Sequence, residues 1–225
     1  MIGDINIFLL LSFLICLISF LYGAFRIFKK NVPVYYKICI CAVGCYFLGM
    51  LSNLVFIICE NSITEFINIS LLGIFGCLCF MVSANLGGDN IHEREEIKIR
   101  LKNKDLFAYV APFVLVIVLI AIFVQILKFR SLDEAIFLLI VFLPTLPASF
   151  LSLLYLIKPA KKLQLFKYTK LCNLCILLFC LNNMIFLYVL YMTQFEYTEV
   201  FYFINSLLLA ILTFDTIRGA KKWKI

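Results

Sequence analysis

Charged residues fall in clusters along this chain, and the stretches between the clusters are almost uniformly apolar. Runs without any charged residue cover 5–25, 38–59, 66–88, 106–127, 135–157 and 171–195, each 21 to 25 residues long. A seventh run, 200–217, is interrupted only by Asp215. An α-helix rises about 1.5 Å per residue, so about 20 apolar residues cross a hydrocarbon core of about 30 Å. The pattern therefore predicts an all-α integral membrane bundle, a single polytopic domain over 1–225. Its seven spans are expected at about 5–28, 34–59, 64–84, 107–129, 133–158, 168–193 and 199–217.

Composition agrees with this and excludes a soluble domain. Apolar residues make up 64% of the chain and charged residues 15%, with a mean hydropathy of +1.07. That leaves too little polar surface to coat a soluble fold of this size. The formal charge of +7 does not point to nucleic acid, because the basic residues flank the apolar runs.

Counted over alternate loops, Lys and Arg number 18 on one side and two, Lys128 and Arg130, on the other. Asp4, Glu60, Glu65, Glu196 and Glu199 fall on that second side. By the positive-inside rule the N-terminus is outside and the C-terminus inside. No basic stretch precedes the first run, and Arg26, Lys29 and Lys30 follow it. That is the order of an N-out anchor, not of a cleaved leader. Lys outnumbers Arg fifteen to five, a bias expected of a bacterium with an AT-rich genome, and a plasma-membrane location follows. The longest loop, 89–105, carries five basic and five acidic residues and is a place for a cytoplasmic partner to dock.

The ten cysteines do not read as a disulfide framework. All but Cys59 lie within or at the inner ends of apolar runs, as small soft residues that let helices approach. Cys172-x-x-Cys175 has metal-binding spacing, but the only histidine is His92 and further ligands are missing. No metal or other cofactor is expected.

The spans offer little acid–base chemistry. Asp215 sits a turn from the predicted cytoplasmic end, close to Arg218, and a local structural role is expected of it. Helix 7 has no lysine for a retinal Schiff base, and no His or Glu lies at mid-depth. What interrupts the apolar runs is asparagine: Asn53, Asn68, Asn182, Asn183 and Asn205. Either these amides converge on a neutral, outward-facing ligand pocket, or each is a hydrogen-bonding link between helices. Helix 5 adds Pro144 and Pro147, a candidate hinge, with Thr145 and Ser149 beside them as candidate ligand contacts. Helix 2 carries Ala42, Cys45, Gly49 and Ser52 at helical spacing, a small-residue face suited to close packing.

Ile7–Leu14 and Ile136–Leu143 share six of eight residues, and Phe66-Ile67-Asn68 echoes Phe203-Ile204-Asn205. Helices 1–3 and 5–7 are thus candidates for parallel copies joined by helix 4, a plan known among transporters.

Three segments resemble the bacterial lysoplasmalogenase (YhhN-like) membrane family. Leu178-Phe179-Cys180-Leu181-Asn182-Asn183 is similar to its Leu-Phe-x-x-Ser-Asp segment, and Ser52-Asn53 to its Gly-Asp. Tyr202-Phe203-Ile204-Asn205-Ser206-Leu207-Leu208 is similar to its Tyr-Tyr-x-x-Gln-x-Leu. The resemblance covers about a third of the chain and implies a lipid-like ligand in the bundle. It also implies vinyl-ether hydrolysis by intramembrane aspartates. Here the matching positions, Asn53 and Asn183, are amides, which do not exchange protons as carboxylates do.

Three readings follow. The first is binding or transport of a neutral amphipathic or lipid-like small molecule. The second is a sensor or accessory subunit without chemistry of its own, acting through a separate partner. The third is a hydrolase acting on lysophospholipids.

Overall fold

In the computed structural model, residues 7–28, 32, 34–58, 69–88, 106–128, 131–157, 166–192 and 199–222 are described. They form seven α-helices: α1 (Ile7–Ile27), α2 (Val34–Ile58), α3 (Ile69–Gly88), α4 (Leu106–Leu127), α5 (Leu132–Ile157), α6 (Phe166–Met192) and α7 (Glu199–Lys222). All but α3 contain a stretch long and apolar enough to cross a membrane, and the apolar part of α3 is the shorter Leu71–Leu86. The chain is thus a multi-pass membrane protein.

Two helix ends differ from the predicted spans. α7 continues past 217 to Lys222, because Arg218 and Lys221 extend a helix into water at no cost. α3 reaches Gly88 rather than 84, while 64–68 lie outside the described residues, as does loop 89–105.

Six helices close a ring in the order α1, α2, α3, α5, α6, α7, each packing on the next and α7 returning to α1. α4 lies outside it, against α5 and α6. α1 and α7 run parallel: Phe8 meets Phe203 at 5.8 Å, Cys16 meets Ser206, and Gly23 meets Thr213. The middle of the ring is filled by side chains from α2 and α6, where the Tyr46 and Phe179 rings meet edge to face at 5.6 Å. Both side chains are fully buried.

In lipid, burying apolar surface between helices gains little, since acyl chains are as apolar as leucine, and close packing decides which faces meet. The small-residue face of α2 is used in this way. A Cβ added at Gly73 of α3 would lie 2.6 Å from the Gly49 Cα and 2.9 Å from the Cys45 carbonyl oxygen. The two backbones cross with nothing between them. Gly76, one turn on, rests on Cys45.

The outward faces carry large apolar side chains, with Ile7, Ile18 and Phe25 on α1 and Phe113 and Ile117 on α4 each more than half exposed. On a soluble protein such a belt would aggregate; here it is the surface for hydrocarbon.

Candidate functional site

Three of the predicted asparagines converge. α6 and α7 pack antiparallel, which sets Asn182 and Asn183 opposite Asn205. The Asn182 Nδ2 donates to the Asn205 Oδ1 at 2.9 Å and to the Phe201 carbonyl at 3.0 Å. The Asn205 Nδ2 donates to the Asn183 Oδ1 at 2.9 Å, and the Asn183 Nδ2 donates to the Phe179 carbonyl at 2.9 Å. Beside them the Cys16 thiol of α1 donates to Ser206 at 3.2 Å, Ser206 to the Tyr202 carbonyl at 2.8 Å, and Tyr46 of α2 to that same carbonyl at 3.4 Å. A polar layer thus ties α1, α2, α6 and α7 together. Of the four bonds these amides donate, two run between amides and two go to backbone carbonyls, and all groups of the layer are neutral.

The remaining predicted site residues stand apart from this layer. Asn53 is half-buried on α2, and Asn68 lies outside the described residues. Thr145 donates to the Val141 carbonyl at 3.3 Å and Ser149 to the Leu146 carbonyl at 3.0 Å, both within α5. α5 runs through Pro144 and Pro147 as one helix. Proline withholds the donors that the Ile140 and Leu143 carbonyls would otherwise receive.

A second polar cluster, near the basic ends of α2, α6 and α7, has Asp215 at its centre. The carboxylate is 2% exposed and accepts a hydrogen bond from the Cys172 thiol at 3.1 Å. Tyr35, Cys39 and Thr216 lie beside this pair. Asp215 is thus bonded from within the bundle, and Arg218, one turn on, also acts on its charge while its guanidinium lies over the Phe214 ring, 5.3 Å from the centroid. Cys172 and Cys175 are both buried on α6. Among the described residues no group of three or more His, Cys, Asp or Glu is placed to hold a metal ion.

Two polar features carry no signal that periodicity alone reveals. Asn85 of α3 donates to Ser152 of the neighbouring α5 at 3.2 Å. The Asn173 Oδ1 of α6 is buried with no hydrogen-bond partner, an arrangement that typically costs about 1–3 kcal/mol.

Open space lies elsewhere, along the lipid-facing side of α2. A cleft of about 330 Å³ is lined by Phe20 of α1 and Phe28 just past its end, Cys41, Gly44 and Leu48 of α2, and Phe80 of α3. A second cleft of about 220 Å³ shares Cys45 and Leu48 with it and runs on between Gly49, Leu72 and Gly73. Gly44 lets the Phe20 ring lie directly against α2 at the cleft wall: a Cβ there would lie 2.6 Å from that ring. None of the predicted asparagines lines either cleft. Set beside protein-family models, curated proteins and solved structures, the chain matches none.

Proposed function

We propose that this protein is a membrane-embedded module for the binding or transport of a lipid-like amphiphile, and that the ligand's apolar part lies in the groove along α2. The observation that carries the reading is the pair of adjoining clefts beside Gly44 and Gly49, open to the bilayer and lined by aromatic and aliphatic side chains. The larger cleft, at about 330 Å³, falls at the lower end of the range of ligand sites, about 300–1,000 Å³. The asparagine layer behind it acts as scaffold, since its donors are engaged within the layer.

The reading includes seven spans, with the N-terminus outside the cell and the basic end of the bundle in the cytoplasm of a bacterial plasma membrane. It is supported by the 18-to-2 distribution of Lys and Arg. It also takes α1–α3 and α5–α7 as parallel copies. Exchanging the two triplets carries each contact of the ring onto another, and the central pair, Tyr46 and Phe179, comes from corresponding helices.

A second reading, an accessory subunit without a ligand of its own, draws on the same bonding of the amides to one another and to nearby carbonyls. Hydrolysis of a lysophospholipid has the least support, since Asn183 is an amide bonded to Asn205.

The test is mass spectrometry of the lipids that co-purify with the wild type, with Cys41→Trp/Leu48→Trp, which fills the groove, and with Asn183→Leu/Asn205→Leu. The expected result is a specific lipid lost from the groove variant and kept by the amide variant. Bulk lipid in all three would move the accessory reading to first place.

A further inference from the structure

The groove has one polar end. Lys37, Cys41, Gly44, Cys45 and Leu48 follow one another on α2 at spacings of four, three, one and three, and so share one face of the helix. Four of them line the clefts; Lys37, half-exposed, stands one turn beyond Cys41, about 6 Å along the axis. On the α1 side the groove ends at Phe28. The apolar trough therefore runs from mid-helix toward the basic end of the bundle, where Lys37 follows it on the same face of α2. A lysine there stretches its methylene stem along the apolar wall and holds its ammonium at the interface.

We infer that the groove is a site for an anionic phospholipid of the leaflet at the basic end, with one acyl chain against Phe20, Gly44 and Leu48 and the head group met by Lys37. The inference rests on the proposed groove reading and adds to it the class of head group. A zwitterionic lipid would fill the trough equally well, but its head group brings no net charge to the lysine. A lysine near a membrane surface is worth roughly 1 kcal/mol toward an anionic lipid, which is about a fivefold preference.

The experiment is native mass spectrometry of the detergent-purified full chain, delipidated and then titrated with equal amounts of phosphatidylglycerol and phosphatidylcholine of the same acyl chains. Wild type is expected to retain phosphatidylglycerol about fivefold over phosphatidylcholine. Lys37→Gln is expected to bring that ratio to about one, and Lys37→Arg to keep it. Cys41→Trp is expected to lose bound lipid of both kinds while eluting as a monodisperse species on gel filtration. If Cys41→Trp loses lipid but the ratio is the same in wild type and Lys37→Gln, the head-group assignment is overturned and the groove reading stands. If Cys41→Trp keeps the full lipid complement, both fall.

Discussion

Adding one methyl group at Gly73 and one at Gly76 probes whether backbone proximity holds α2 against α3. At Gly73 the new Cβ would lie 2.6 Å from the Gly49 Cα and 2.9 Å from the Cys45 carbonyl oxygen. Carbon atoms rest at about 3.5–4.0 Å, and these neighbours are backbone, so the helices must part by roughly an ångström. Overpacking of this kind costs about 1–3 kcal/mol, against a gain of about 0.5–1 kcal/mol from replacing glycine by alanine within a helix. Gly73→Ala is therefore expected to destabilise the protein by about 1–2 kcal/mol. At Gly76 the nearest atoms are the Cys45 Cβ and Sγ at 3.3 Å, a side chain that gives way. Gly76→Ala is expected to be neutral or to stabilise slightly, by less than about 1 kcal/mol. Unfolding in mixed micelles, followed by circular dichroism as the denaturing detergent fraction rises, measures both. Equal effects for the two variants, or a milder one at Gly73, would refute the claim that the α2–α3 crossing is set by Gly49 and Gly73.

Two further perturbations follow from the polar layer and the charge pattern. Asn205→Leu removes the centre of the α6–α7 amide network and is expected to cost about 1–2 kcal/mol, in line with interhelical hydrogen bonds in membranes. Asn205→Asp is expected to cost more, because its carboxylate would face the Asn183 Oδ1 with no donor to offer; the same unfolding assay ranks them. For topology, a fluorescent protein fused after Ile225 is expected to fold and fluoresce in the cytoplasm, and alkaline phosphatase fused at Asn61 to be active outside. Inverted activities would reverse the orientation and with it the leaflet of the groove.

Much of the fold was legible in charge spacing alone, because a bilayer punishes charge within a span so heavily that uninterrupted runs mark the helices. The ends were less legible, since a helix continues past its first charge, as α7 does through Arg218. The packing of α2 on α3 was foreshadowed by Ala42, Cys45, Gly49 and Ser52, but their partners Gly73 and Gly76 were not, because small residues on two helices do not state their register. The position of α4 outside the ring had an unread signal: 106–127 contains no Gly, Ser, Thr, Asn or Cys, so it has little with which to bond or closely approach a neighbour.

The candidate site was legible as residue types and not as an arrangement. Asn182, Asn183 and Asn205 stood out as polar interruptions, yet whether they face a ligand or one another depends on the rotation of α6 against α7. Asp215 was read beside Arg218 from its spacing, while its hydrogen bond to Cys172 joins positions 43 residues apart. The groove was not legible, since its walls depend on how Phe20 and Phe80 sit against α2.

The most direct test of the groove is to ask where a lipid touches the protein. Purified protein in nanodiscs doped with a phospholipid carrying a diazirine in its acyl chain would be irradiated, digested and mapped by mass spectrometry. The expected result is labelling concentrated on peptides containing Phe28, Cys41 and Phe80, and abolished there by Cys41→Trp/Leu48→Trp. Labelling spread evenly over the outward faces, or densest on the exposed ridge of α4 at Phe113 and Ile117, would contradict a lipid site along α2.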